Sequence, residues 1–298
     1  MSETFGMDFN IIPPEQRSWE ECLTKGERIG GPSPWGNSKW STFTQCPYKY
    51  YLKFVKRIKP KAPKKALEIG GLVHEMIGHY YDSVLAKRSE EEALDSAWEL
   101  CNRAAQITPE YAAEARRLMT AWFGTYAQSG IASPKEQVID VECLAEVEKP
   151  FPYSTRIDAV LWRNGAYIHE TKTASRMSSL LLDGYEMNSQ FLGQMYLWDK
   201  TDLKKHYGPL KGFIVDLIVK TKEVQLDRIN VKIDPKQLRR WEKNMKWIVA
   251  ELSQCEAHGH WPQHMSNCTM YAQRCSYFNY CATGGNMKGL VKKKRGEY

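Results

Sequence analysis

Glu170 and Lys172 stand two apart in Ile168-His169-Glu170-Thr171-Lys172-Thr173, and Asp158 lies twelve positions before the glutamate. The flanking residues are apolar and β-branched, so both segments read as strands, with Asn164-Gly165 as the turn between them. Charge inside a strand is costly unless it is paired or holds a metal ion. Two carboxylates can share a hard divalent cation such as Mg²⁺ or Mn²⁺. An ammonium beside them can hold a water molecule and favour its deprotonation. Together these groups could carry out metal-assisted cleavage of a phosphodiester.

The loop length decides whether the three groups meet. Alternation along a strand puts Glu170 and Lys172 on one face. A two-residue loop, Asn164-Gly165, would set Ala159 opposite Glu170 and turn Asp158 to the wrong face. A three-residue loop, Arg163-Asn164-Gly165, sets Trp162 against Ala166 and Asp158 against Glu170. Three-residue hairpins favour a glycine with positive φ. The chemistry therefore predicts the longer loop and a positive φ at Gly165.

Further candidates lie on predicted helices. Leu67, Gly70, His74, Ile77, Tyr81 and Val84 form one stripe of a helix spanning about 66–87. His74 could complete a coordination sphere, and a nitrogen ligand tilts the preference toward Mn²⁺. The alternative is a core histidine bonded to backbone. Gln190 and Gln194 lie one turn apart, able to hold a phosphate, a base edge or Lys172, or else to form a plain polar face.

Near the end stands Cys268-x6-Cys275-x5-Cys281. Three thiolates need a fourth ligand. Cys255 is nearest in sequence, and Cys46, just before Pro47, is another choice. His258, His260 and His264 could join a mixed zinc site. Zinc, iron–sulfur and unliganded core cysteines all stay open on spacing alone.

The elements that must position these groups follow from pattern. Helices are expected over 38–57 (interrupted at Pro47), 66–87, 90–106 and 109–128. Strands are expected over 138–147, 155–162 and 166–173, then a helix over 187–199. Two more strands, 212–219 and 224–233, precede a long helix over 234–256. This order is α+β, with the first helices as a separate lobe. It divides into an irregular arm (1–37), a helical lobe (38–136), a core (137–257) and a cysteine segment with basic tail (258–298). The 298 residues are 42% hydrophobic and 26% charged, as in ordinary globular chains. No apolar run reaches membrane-spanning length, and the N-terminus lacks a secretory signal, so the cytoplasm is the expected location. There, cysteines are not expected to form disulfides. The net charge of +7 includes seven basic residues and no acid between Lys53 and Lys65, and Lys292-Lys293-Lys294-Arg295 at the end. Such clusters favour a polyanion, and Tyr48, Tyr50, Tyr51 and Phe54 add rings that could stack on bases.

Six pieces occur in order over roughly residues 38–281: Cys46-Pro47-Tyr48-Lys49-Tyr50-Tyr51, Gly70-x3-His74, Asp158, Glu170-Thr171-Lys172, Gln190-x3-Gln194 and Cys275-x5-Cys281. The chain thereby resembles the RecB-like branch of the PD-(D/E)XK nuclease superfamily. Within it, the chain is similar to the iron–sulfur members: CRISPR-adaptation exonucleases, AddB-type nuclease domains and small phage-encoded relatives. The resemblance implies a restriction-endonuclease-like core sheet flanked by helices. It implies that His74, Asp158, Glu170 and the Thr171 carbonyl bind Mg²⁺ or Mn²⁺, that Lys172 positions water, and that Gln190 supports the site. It implies a [4Fe–4S] cluster on Cys46, Cys268, Cys275 and Cys281, with Zn²⁺ the alternative. Tyr48, Lys53, Lys56, Arg57 and Gln194 would contact nucleic acid. Two features depart from the family pattern. The gap between Cys268 and Cys275 is six rather than two, and Gln194 stands where many relatives have tyrosine. The implied function is a metal-dependent DNA nuclease, an exonuclease on single strands or ends, in the cytoplasm of a bacterial or phage-infected cell. Repair, recombination or CRISPR-adaptation proteins would be its partners. The alternative is a non-catalytic nucleic-acid-binding accessory protein with a zinc or iron–sulfur clasp.

Overall fold

The computed structural model describes residues 33–62, 65–127 and 137–293. Residues 1–32 of the arm expected over 1–37, with Lys64, Lys294 and Arg295 of the basic clusters, lie outside them. Helix α1 (Asn37–Gln45) stops at Cys46, whose backbone is extended at φ −168° and ψ 111°. Pro47 forces this: it disfavours a helical residue before it, yet suits the first position of a new helix. That helix is α2 (Pro47–Tyr50), and the Cys46 sulfur accepts its Lys49 N–H at 3.4 Å. A π-helical turn, Tyr51–Val55, leads to strand β1 (Ile58–Pro60). Then come α3 (Lys65–Leu85), α4 (Glu90–Ile107) and α5 (Pro109–Trp122). Ser89 and Glu92 close a capping box on α4, satisfying donors that would otherwise be left over.

The sheet comprises β2 (Gln137–Val147), β3 (Tyr153–Trp162), β4 (Ala166–Ala174), β5 (Leu210–Val219) and β6 (Gln225–Val231), paired in that order. β4 and β5 run parallel and the other neighbours antiparallel. The parallel step needs a crossover. It is made by α6 (Ser179–Glu186), α7 (Ser189–Lys200) and α8 (Leu203–Tyr207). After β6 follow α9 (Pro235–His258), a 3₁₀ stretch (Met265–Ala272), α10 (Phe278–Ala282) and β7 (Leu290–Lys292). β7 pairs antiparallel with β1, tying the C-terminal segment to the start of the chain.

Both faces of the sheet are covered. On one, Phe191 of α7 stacks on Phe213 of β5 with centroids 4.6 Å apart, beside Tyr196, Trp198 and Trp241. On the other, Val73, Met76, Leu100, Leu118 and Trp122 of α3–α5 pack on Ala159, Leu161, Ile214 and Ile218. Burial of each large apolar side chain contributes roughly 1.5–3 kcal/mol relative to exposure. The first helices are therefore not set apart from the sheet but share a core with it. The class is the expected mixture of helix and sheet. Among the described residues no helix is long and apolar enough to cross a membrane.

Several elements escaped the pattern. Helix α6 carries Leu180 at 82% exposure, so it shows no clean apolar stripe. Its start is fixed instead by the Ser178 hydroxyl, which accepts the Leu181 N–H at 3.2 Å. β1 and β7 are three residues each and more than two hundred positions apart, with no local period to reveal the pairing. Leu67, expected on the buried stripe of α3, is exposed because the first turn of that helix projects past the core.

Candidate metal centre

The β3–β4 ladder runs from Trp162–Ala166 to Ala159–His169, which is the register of a three-residue loop. Arg163 donates its N–H to the Gly165 carbonyl at 2.9 Å, and φ is +53° at Asn164 and +140° at Gly165. A Cβ on Gly165 would fall 2.6 Å from Lys211 Cγ, so space as well as backbone geometry calls for glycine. Asp158 and Glu170 are thus the first residues past the end of the ladder. There the Asp158 carboxylate accepts the Thr171 N–H at 3.4 Å, bridging the fork between the strands.

Helix α3 delivers the third group. Gly70 brings its backbone close to β4: an added Cβ would lie 3.1 Å from Thr173 Oγ1. One turn on, His74 Nδ1 is 2.9 Å from Asp158 Oδ2, so it is not a histidine spent on backbone. Ligand atoms of His74, Asp158 and Glu170 all lie within 4.8 Å of one another, close enough to hold one metal ion. The side chains of His74 and Asp158 are 15% and 14% exposed, so the group is reachable from solvent. Glu170 is buried behind them.

Glu170 is held from three sides. Lys172 Nζ is 2.6 Å from Oε1 and donates also to Gln190 Oε1 at 3.0 Å. The amides of Gln190 and Gln194 donate to Oε2 at 2.9 and 3.2 Å. Gln190 sits in the first turn of α7, where its N–H donates to the capping Asn188 side chain at 2.8 Å. The expectation that Gln194 contacts nucleic acid is corrected here. It is fully buried, its amide nitrogen donates to Glu170 and its amide oxygen is buried as well, so no part of it is exposed to a strand. The one-turn spacing of the two glutamines was the signal; its target is a carboxylate.

The opposite face of β4 carries a second charged group. His169 and Asp216, both fully buried, lie 3.0 Å apart. Arg228 donates to Asp216 at 2.6 and 2.8 Å, and the Trp122 indole donates at 2.9 Å. Burial pushes the Asp216 carboxyl up, but His169 and Arg228 outweigh it and hold the group well below the usual carboxylate range.

Cys46, Cys268, Cys275 and Cys281 line one pocket, between the α1–α2 break and the C-terminal segment. Burial, then Cys275, Cys268 and Cys46, push the Cys281 thiol up to about 11. Burial, then Cys275 and Cys46, raise that of Cys268. Cys255, the other candidate for fourth place, is buried in the main core instead. His264 Nδ1 lies 3.2 Å from the Gln45 carbonyl, while His258 and His260 are exposed. Tyr48, Cys275 and Cys281 pack against the same small cluster of Leu52, Ile58, Tyr277 and Leu290. Lys56 lies 5.4 Å over the Tyr51 ring, and Arg57, with φ +59°, accepts the Lys293 N–H on its carbonyl. Burial, then Lys49 and Lys293, lower the Lys53 pKa. Tyr48, Lys53, Lys56 and Arg57 lie on the segment that follows Cys46, and none of them lines the cysteine pocket itself.

Residues 34–282 match the sequence profile of the PD-(D/E)XK nuclease superfamily. Among solved structures, that of a candidate exonuclease from Eubacterium rectale aligns with a TM-score of 0.50 and 14% identity. The alignment covers 84% of this chain and 90% of the other. That of SSO0001 aligns with a TM-score of 0.28 and 16% identity, over 59% of this chain and 74% of the other, and carries no argument. No curated protein matches by sequence.

Proposed function

Since the chain belongs to the PD-(D/E)XK nuclease superfamily, we propose that it is a metal-dependent deoxyribonuclease, acting as an exonuclease on single strands or DNA ends. One observation carries this reading: His74, Asp158 and Glu170 converge within 4.8 Å, with Lys172 at 2.6 Å from Glu170. The donor set fits a divalent cation. Two carboxylates give hard oxygen ligands, the Thr171 carbonyl is a further one, and the imidazole tilts the choice from Mg²⁺ toward Mn²⁺. When bound, such an ion lowers the pKa of water and offsets charge on the phosphate.

The chain's own groups supply order. Gln190 and Gln194 fix one oxygen of Glu170 and leave it no freedom to rotate. Lys172, braced between Glu170 and Gln190, donates to the attacking water and aims it at phosphorus. Asp158 is steadied by His74 and by the Thr171 amide. The exonuclease assignment draws on the likeness to the Eubacterium rectale protein, whose fold the chain shares.

The cysteine pocket is read as the site of a [4Fe–4S] cluster on Cys46, Cys268, Cys275 and Cys281. Four thiols from both ends of the fold suit soft metal chemistry. The free space among the thiols is about 20 Å³, so the reading of a cluster rests on the four thiols and not on volume. Absorbance near 400 nm would distinguish the cluster from zinc. Tyr48, Lys53, Lys56 and Arg57, on the segment that follows Cys46, are read as contacts to the DNA strand. The resemblance in sequence supports a cytoplasmic setting among repair, recombination or CRISPR-adaptation proteins.

The test is digestion of end-labelled single- and double-stranded DNA with Mn²⁺. Wild type is expected to release short products, whereas Lys172→Ala and Asp158→Ala release none yet still bind DNA. Undiminished cleavage by both variants would overturn the reading.

A further inference from the structure

Beside the candidate metal centre lies a cation that the reading above does not use. Arg156 and Asp158 are the part-exposed positions in the middle of β3, alternating with buried Thr155, Ile157 and Ala159. They point to the same side, about 7 Å apart along the strand. The Arg156 side chain is 13% exposed, close to the values for His74 and Asp158. Nη1 donates to the Glu142 carbonyl at 3.1 Å, and Nε lies 3.6 Å from Glu142 Oε2. One residue thus holds the guanidinium through both its main chain and its side chain.

Glu142 itself is unusual. It lies on β2 between the pairs Val141–Ala159 and Cys143–Ile157, level with Asp158. Its φ is +52°, a conformation that side chains other than glycine rarely adopt and that concentrates at functional sites. Its Oε1 comes within 3.7 Å of the place a Cβ on Gly78 would take, and Gly78 is one turn past His74 on α3. The helix and the strand that supply two members of the metal centre therefore also frame the Glu142–Arg156 pair. At 3.6 Å the contact from Nε is long for an ion pair, unlike the paired short bonds of Arg228 on Asp216. A guanidinium matches the oxygens of a phosphate through a planar fork of N–H donors, whereas an ammonium is a point charge.

We propose that Arg156 grips the phosphate next to the one being cut, with Glu142 aiming it. This rests on the nuclease reading and adds to it the residue that registers the substrate strand against the metal centre. In this role Arg156 binds substrate, and its charge is needed together with its shape.

The test is fluorescence anisotropy of a labelled single-stranded oligonucleotide across a salt series, with Ca²⁺ in place of Mn²⁺. Wild type, Arg156→Lys and Arg156→Met are compared, with Mn²⁺ binding measured on each as a check of the centre. Arg156→Met is expected to weaken binding about ten- to hundredfold and to lower the salt slope by about one unit. Arg156→Lys should keep the slope but bind more weakly than wild type. Mn²⁺ binding should be unchanged in both. An unchanged Kd and slope for Arg156→Met would overturn the proposal, as would loss of Mn²⁺ binding, which marks a structural role. If wild type cleaves DNA while Arg156→Met binds normally, this inference fails and the nuclease reading stands. If wild type neither binds nor cuts, the nuclease reading fails first.

Discussion

Strand β4 separates two charged clusters built from the same residue types. On one face His169 and Asp216 are fully buried beneath a partly exposed Arg228, and both Asp216 side-chain oxygens are met by protein donors. On the other, His74, Asp158, Glu170 and Lys172 open partly to solvent, with two carboxylates against one ammonium. The first cluster balances its charge internally. The second holds an excess of negative charge in a confined space, the arrangement that a cation relieves. Composition alone does not separate a structural ion cluster from a metal centre. Charge balance does, together with the exposure of the aspartate, 14% for Asp158 and 0% for Asp216.

The comparison can be broken most sharply on the open side. Lys172→Ala or Glu170→Ala should lower the cleavage rate by about 10²–10⁴-fold. Thermal unfolding should show little loss of stability for Glu170→Ala, which relieves the excess of negative charge, and a modest loss for Lys172→Ala, since Gln190 and Gln194 still donate to the Glu170 carboxylate. On the closed side the roles reverse. Asp216→Ala leaves the Arg228 guanidinium without its counter-charge and His169 without its 3.0 Å partner, and should cost about 3–5 kcal/mol in denaturant unfolding. The Asp216 contribution is fully present above its ordinary value of 3.8 and is lost as pH falls below it, since the folded-state pKa lies lower. A stable Asp216→Ala or an unfolded Lys172→Ala would erase the distinction.

Two smaller effects sharpen it. With the proposed cluster bound, Cys46→Ser should remove absorbance near 400 nm and lower stability by up to about 4 kcal/mol, since the cluster would close a loop of great length. His79 belongs to neither cluster. Burial, then Arg103, pull its pKa from 6.5 down to about 4. Between those values the unfolded chain takes up a proton that the folded chain refuses, so stability falls as pH falls. His79→Gln should flatten that limb of the Tm profile, by on the order of 1 kcal/mol.

The open cluster was largely legible in the sequence. Glu170, Lys172 and Asp158 could be placed together because a strand alternates strictly and a hairpin has few loop lengths; the need for the charges to meet then chose the three-residue loop, with its positive φ at Gly165. His74 was legible from Gly70 and a helical period. The closed cluster was not. Asp216 sits in an apolar run, LKGFIVDLIV, and nothing local links it to Arg228 on the next strand or to His169 across a parallel crossover. Gln194 was placed on the right helix with the wrong neighbour, because a glutamine one turn from another looks the same whether it meets phosphate or carboxylate. Helix α6 was hidden by its exposed leucine, and β1–β7 by its shortness.

The central claim is that the open cluster holds a divalent cation. Mn²⁺ titration followed by electron paramagnetic resonance tests it directly, on wild type and on the Asp158→Ala, Glu170→Ala double variant. Binding in the wild type that disappears in the double variant, with the fold intact by circular dichroism, is the expected result. Equal Mn²⁺ binding by both proteins would contradict it.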